Sequence, residues 1–233
     1  MSTYTLRFIL ERDATFGRGD GVAGVVDAEV QHDEYGCPYL GGRSLKGLLV
    51  NECSDIWAAL PENVRYRWEK SAQRLFGNPG SGLDDGASLI IGDAQLPADL
   101  RSAIIQDIQR AKMACRNEAE RKQIEAKMRE DVLESITALR NQTSIDETGV
   151  AKEHTLRTIR VILRKTPFEA ELHFKRGHSE DELALLAACI KAFRRAGTAR
   201  NRGRGLLSAE MLDASGQIIT EKYFAIFREG ITL

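Results

Sequence analysis

Phe168-Glu-Ala-Glu-Leu-His-Phe174, Ser179-Glu-Asp-Glu-Leu-Ala-Leu-Leu-Ala-Ala-Cys-Ile-Lys-Ala-Phe-Arg-Arg195 and Leu206-Leu-Ser-Ala-Glu-Met-Leu212 follow one another across short connections. The first alternates apolar and polar side chains, as a half-buried strand does. The second is an apolar helical run opened by a capping serine, Ser179, and the third closes as a strand. The same order opens the chain. Tyr4 to Glu11 sets Leu6, Phe8 and Leu10 against Thr5, Arg7 and Ile9. Ser44 to about Leu60 reads as a helix with Ser44 as N-cap and Leu45, Leu48, Leu49 and Cys53 on its buried stripe. Leu83 to Asp93 carries the apolar run Leu89-Ile-Ile91 of a core strand. Strand, helix, strand, stated twice, predicts an α+β domain of ferredoxin-like type.

Other segments elaborate this core. Val25 to Val30 reads as a short strand, Tyr35-Gly-Cys-Pro38 as a turn, and Asn63 to Phe76 as a second helix stopped by Gly77-Asn-Pro-Gly80. Leu100 to Leu139 has the strongest helical period. Leu100, Ile104, Ile108, Ala111 and Cys115 keep one face, and Ile124, Met128, Val132, Ile136 and Leu139 keep another. The polar block Arg116 to Gln123 leaves two possibilities: one helix exposed at its middle, or two helices folded back near Asn117. The expected division is a single domain over 1–233, with a helical insertion at 97–140 and a hairpin at 141–165.

Composition agrees with one folded domain. The chain has 233 residues, 42% hydrophobic and 29% charged, too apolar for a disordered chain. No apolar run approaches the roughly 20 residues that span a bilayer, and the N-terminus lacks the blocks of a signal peptide, so no membrane partner and a cytoplasmic location are expected. Cys37, Cys53, Cys115 and Cys189 stand far apart and indicate neither a disulfide framework nor a zinc site. The net charge of −1 hides an asymmetry: Lys152 to Arg204 holds 13 Lys/Arg against 6 Asp/Glu. A neutral protein can still present a polyanion with a positive face.

Two glycine-rich segments could meet phosphates. Gly41-Gly-Arg-Ser-Leu-Lys-Gly47 places backbone N–H groups, a hydroxyl and a lysine at a helix start, without Walker A spacing. Thr198-Ala-Arg-Asn-Arg-Gly-Arg-Gly205 interleaves glycines with guanidinium groups, which bind phosphates in a bidentate manner. The acid candidates are Asp13, Asp20, Asp27, Asp33 and Glu34, with Asp27 set apart by the apolar pair before it. A carboxylate beside a phosphodiester can hold a divalent cation. His32, His154, His173 and His178 form no spaced pair, and no Gly-x-Ser-x-Gly, His-Glu-x-x-His or Cys–His nucleophile arrangement is present.

Taken in order, these landmarks resemble one family. Gly24-Val-Val-Asp27 and then Tyr35-Gly-Cys-Pro-Tyr-Leu-Gly-Gly-Arg-Ser-Leu-Lys-Gly47 resemble the start of RAMP superfamily proteins of type III CRISPR effector complexes, in particular the repeated backbone subunit of the Csm type. There the run is Pro-x-Ile-Pro-Gly-Ser-Ser-Leu-Lys-Gly, so Leu40-Gly41 replaces Ile-Pro. Leu75-Phe-Gly-Asn78, Leu89-Ile-Ile-Gly-Asp-Ala94, Thr143-Ser-Ile-Asp146 and the loop from Gly197 to Gly205 continue the likeness over nearly the whole chain. Leu96 to Asn141 departs from it, being longer and more helical.

The resemblance implies a ferredoxin-like, RRM-related core with an extended hairpin, the thumb, at 141–165. It also implies copies stacked along a guide RNA with other effector subunits, each thumb wedged into the guide–target duplex. Asp27 matches the aspartate that cleaves target RNA with a divalent metal, Mg2+ or Mn2+. Arg43, Ser44 and Lys46 match guide-backbone contacts. Arg200, Arg202 and Arg204 lie on the loop that tracks the guide, and the thumb residues include Arg157, with His154 nearest the cleaved strand. Guide pairing then reads sequence while the protein needs phosphate contacts and shape. The aromatic content of 6% is too low for a sheet that stacks bases. The expected function is a guide-RNA-binding backbone subunit that cleaves paired target RNA. The alternatives are a non-catalytic structural subunit of the same filament, or a guide-processing endoribonuclease of the histidine-dependent kind.

Overall fold

Alternation along the strands sorts each into a buried and an open side. In the computed structural model, which describes residues 3–19, 21, 26–77, 86–143, 147, 149 and 155–232, the elements run β1 (Thr3–Leu10), α1 (Gly42–Ala59), α2 (Glu62–Phe76), β2 (Leu89–Ile91), α3 (Ala98–Met113), α4 (Glu118–Ile136), β3 (Thr137–Gln142), β4 (Arg157–Ile162), β5 (Pro167–Phe174), α5 (Glu180–Ala192), β6 (Leu207–Leu212) and α6 (Thr220–Thr232). β1, β2, β5 and β6 form one antiparallel sheet in the order β2-β5-β1-β6. That is the ferredoxin-like order expected of two strand–helix–strand units.

Leu6, Phe8 and Leu10 of β1 and Phe168, Ala170, Leu172 and Phe174 of β5 are buried, as are Leu45, Leu49 and Cys53 of α1 and most of α5. Phe8 stacks on Phe168 at 5.2 Å between ring centroids and meets Phe193, just after α5, edge-on at 5.8 Å. The other face of the sheet carries Thr5, Arg7, Glu169, Glu171 and Glu210, and lacks aromatic rings among these residues.

Three local readings need correction, one open choice is decided and one helix is added. Residues 26–30 do not form a strand; they make single bridges, Val30 to Gly17 and Ala28 to Ile159. Of the two possibilities for the long periodic segment, the structure takes two helices separated at Asn117: the Asn117 side chain accepts the Glu120 backbone N–H at 2.9 Å, and the Glu120 carboxylate accepts the N–H of Arg116. That cap starts a new helix after the turn. The hairpin begins at Thr137, directly after α4, because β3 pairs Thr137 with Ile162 and Gln142 with Arg157. Helix α1 begins at Gly42, two residues before Ser44, so Ser44 lies inside its first turn. Finally, β6 is the closing strand as expected, and a helix not read from the sequence, α6, follows it: Phe227 packs on Trp68 at 4.6 Å, and the helix lies along α5.

Candidate nucleic-acid interface

The registers place several connections at one end of the sheet. Leu10 pairs with Leu207, Ile9 with Pro167, and Gln95 bridges to Glu169. The segment after β1, the start of α1, the base of the thumb hairpin β3–β4 and the glycine-rich loop before β6 therefore gather there.

Residues 13–17 are the axle of this end. Ala14 exchanges both backbone hydrogen bonds with Ile162 at the thumb's base, 3.0 and 2.7 Å. On the other side, the Asp13 carbonyl accepts the Gly205 N–H at 2.9 Å and the Thr15 carbonyl accepts the Thr198 N–H at 2.9 Å. Phe16, 2% exposed, is driven into the core against Phe168 at 5.3 Å and so fixes the segment. One short stretch thus sets the thumb and the glycine-rich loop relative to each other.

The glycines of 197–205 serve this closure first. Gly197 has φ of 89°, and a Cβ there would come within 2.5 Å of the Thr15 carbonyl oxygen. At Gly205, with φ of 66°, it would meet the Ala196 carbonyl oxygen at 1.9 Å. Only glycine fits either position. The loop is therefore held in shape by the protein, with Arg200 and Arg202 exposed on its 3-10 turn and Arg204 half-buried. The Arg195 guanidinium donates to the Arg200 carbonyl at 2.9 Å and steadies that turn.

Helix α1 borders the loop. Burial pushes the Glu52 carboxyl above its usual range and the neighbouring Asp55 pushes it the same way, while the Arg200 charge pulls it back. At the start of α1, the Gly42 N–H donates to Asp93 Oδ1 at 2.7 Å. The positive end of the helix is thus met by a carboxylate from the strand end at β2 rather than by Ser44. Arg43 and Ser44 are exposed, and Lys46 is half-buried. Burial, with the like charge of Lys175 second, lowers the Lys46 pKa. A phosphate here would meet side chains, since the first backbone donor is engaged.

Asp27 sits at the thumb. Its backbone N–H donates to the Thr158 carbonyl at 2.7 Å, and the Thr158 N–H donates to Asp27 Oδ2 at 2.6 Å. The exposed carboxylate is therefore clamped to β4, one residue beyond exposed Arg157. Below it, Glu29 (4% exposed) pairs with Arg160 Nε at 2.9 Å, and Arg160 also donates to Thr137 Oγ1 at 3.2 Å. This buried pair, which sequence reasoning missed, ties the 26–30 segment to both thumb strands. His154 and Asp20 lie outside the described residues.

The other acid candidates have different occupations. Asp13 pairs with Arg140 at 3.0 Å and accepts the Arg164 N–H. Asp33 pairs with Arg101 at 2.9 Å and accepts the N–H groups of Tyr35 and Cys37, which holds the 33–37 turn to α3. Glu34 is exposed. His32 contacts the Asp33 carbonyl, His173 contacts Glu171, and His178 contacts the Tyr4 hydroxyl, so these three are dispersed. Among the described residues no three His, Cys, Asp or Glu side chains converge to hold a metal ion. No helix of the described residues is long and apolar enough to cross a membrane.

Comparison with known proteins agrees with this architecture. No curated protein matches the sequence. The chain is similar in fold to one in the cryo-EM structure of type III-B Cmr-beta bound to cognate target RNA, with TM-score 0.61, 13% identity, and 95% of this chain and 98% of that one covered. A chain in the apo state of type III-B Cmr-beta gives TM-score 0.57 at 14% identity, over 90% and 96% of the two chains. The crystal structure of oligomeric Cmr4 from Pyrococcus furiosus gives 0.51 at 12%, over 92% and 99%. The RAMP superfamily model matches residues 13–208, from the axle segment to the second residue of β6, and the chain belongs to that superfamily.

Proposed function

We propose that this chain is a guide-RNA-binding backbone subunit of a type III CRISPR effector complex, and that Asp27 makes it an endoribonuclease toward guide-paired target RNA. The observation that carries the reading is the double hydrogen bond between Asp27 and Thr158, which fixes a carboxylate to β4 near the loop end of the hairpin expected to part the duplex. Similar chains come from Cmr assemblies, one bound to cognate target RNA and one oligomeric, which supports guide RNA, target RNA, other effector subunits and further copies of this chain as partners.

The chemistry asked of the site is modest. A wedge that unstacks one nucleotide frees its backbone for in-line attack, so the cut is placed by geometry. The 2′-hydroxyl oxygen of the flanking ribose then bonds to phosphorus as Asp27, the general base, takes its proton; the P–O5′ bond breaks and the departing 5′-oxygen takes a proton from solvent. Asp27 would be the residue to hold the expected Mg2+ or Mn2+, which would supply charge stabilisation at the phosphoryl oxygens, and chelation tests that requirement.

Asp27→Asn in an assembled complex is the decisive variant, because the amide still offers an acceptor to the Thr158 N–H. Target cleavage is expected to fall by about a hundredfold or more, with guide binding kept. Cutting that persists at every usual position refutes the catalytic half. It leaves the second reading, a structural subunit, which the clamp on Thr158 also suits. The guide-processing reading is disfavoured by the dispersed histidines, and cleavage of a free repeat RNA by the isolated protein would restore it.

A further inference from the structure

Behind the glycine-rich loop lies a cleft of about 770 Å³, lined by Glu11, Arg12, Asp13, Arg140, Arg164 and Arg204 among others. Its walls come from the segment after β1, the thumb's base and the loop. Four arginines and two acidic residues are among those that line it, and one of the acids, Asp13, is already paired with Arg140. Arg12 reaches across to the Gly203 carbonyl at 3.3 Å. Arg204 Nη1 is shut off from solvent and has no hydrogen-bond partner among the described residues.

A buried donor without an acceptor is costly, and the cost is greater for a charged group. Here the donor belongs to the innermost arginine of a loop whose outer arginines, Arg200 and Arg202, are exposed. Resting on the reading that the loop tracks RNA, we propose that this cleft seats a backbone phosphate of the bound RNA, gripped by Arg204, Arg164 and Arg12. An entering phosphate offers an acceptor toward which the half-buried Arg204 guanidinium turns, and guanidinium groups suit phosphate geometry. RNA would then pass between the loop and the thumb's base rather than only along the outer edge. Sequence reasoning included Arg204 but found neither Arg12, Arg140 nor Arg164, which come together only through the Asp13 contacts.

The test uses the full chain, a fluorescein-labelled single-stranded RNA and anisotropy over a range of KCl concentrations. Arg164→Ala and Arg204→Gln are each expected to reduce the slope of log K against log salt by about 0.7, the value of one single-strand phosphate contact. Arg204→Gln is also expected to keep or raise the melting temperature, since it removes the buried Nη1 donor that has no acceptor among the described residues; a purely structural arginine would lower it. Should Arg202→Ala reduce the slope while both cleft variants leave it unchanged, the phosphate seat is refuted and the outer loop retains RNA. Unchanged slopes in all three variants refute the RNA-tracking reading as well. Stabilisation by inorganic phosphate that Arg204→Gln abolishes, with RNA slopes unaffected, overturns the proposal in favour of a free-anion site.

Discussion

Glu29 and Arg160 show how a residue gains a role the sequence does not announce. In sequence Glu29 is one acid among 34, yet it is buried and its partner is only 14% exposed at the side chain. Removing one member leaves a buried charge uncompensated, so Glu29→Ala is expected to cost about 3–5 kcal/mol in denaturant unfolding. A change below about 1 kcal/mol would show that the pair does not hold the 26–30 segment to the thumb. Cys37 makes a second residue-scale prediction. Burial, and then the Asp33 charge, push its thiol up to about 11 from an ordinary value of 9.0. Its folded pKa lies above the unfolded one, so its contribution to stability is intact below pH 9 and declines as pH rises toward 11. Cys37→Ala should flatten the loss of stability over that window, and at pH 8 a thiol reagent should label Cys115 well before Cys37. Equal labelling rates would contradict the burial.

At the scale of elements, the start of α1 separates a local reading from a tertiary one. Ser44 has the right chemistry for a cap, but the helix begins earlier and Asp93 supplies the acceptor from 51 residues away. Asp93→Ala is therefore expected to cost about 1 kcal/mol and Ser44→Ala only a few tenths, measured by thermal or urea unfolding. The reverse ranking would place the cap where the sequence suggested. Ser179, by contrast, accepts the Glu182 N–H at 3.2 Å as its local sequence requires. Elements governed by period or by neighbours within a few residues, such as β1, β5 and α5, were legible. Those governed by distant partners were not. Tyr223, Phe224, Phe227 and Ile231 did carry a helical spacing that would have revealed α6. Phe227→Ala, which empties the space beside Trp68, is expected to destabilise the protein by about 3–5 kcal/mol.

For the whole molecule, charge separates the two surfaces on which RNA could lie. The open face of the sheet presents Glu169, Glu171 and Glu210 against Arg7, with Arg7 already paired to Glu169 at 2.9 Å. A polyanion is repelled there, and no aromatic ring among those residues offers a base a stacking surface. The sheet end carries Arg43, Arg200 and Arg202 exposed, and the thumb carries exposed Arg157 next to Thr158, to which Asp27 is clamped. The candidate site was legible as two basic glycine-rich segments. The placement of the second segment against the thumb was not, because it depends on residues 13–17 pairing with both. A structure of the assembled complex with guide and target RNA tests this arrangement most directly. The account predicts an RNA backbone touching Arg43, Arg200 and Arg202, with the target strand interrupted at the thumb beside Asp27. RNA lying instead across Thr5, Arg7, Glu169 and Glu171, with the sheet end turned away from it, would contradict it.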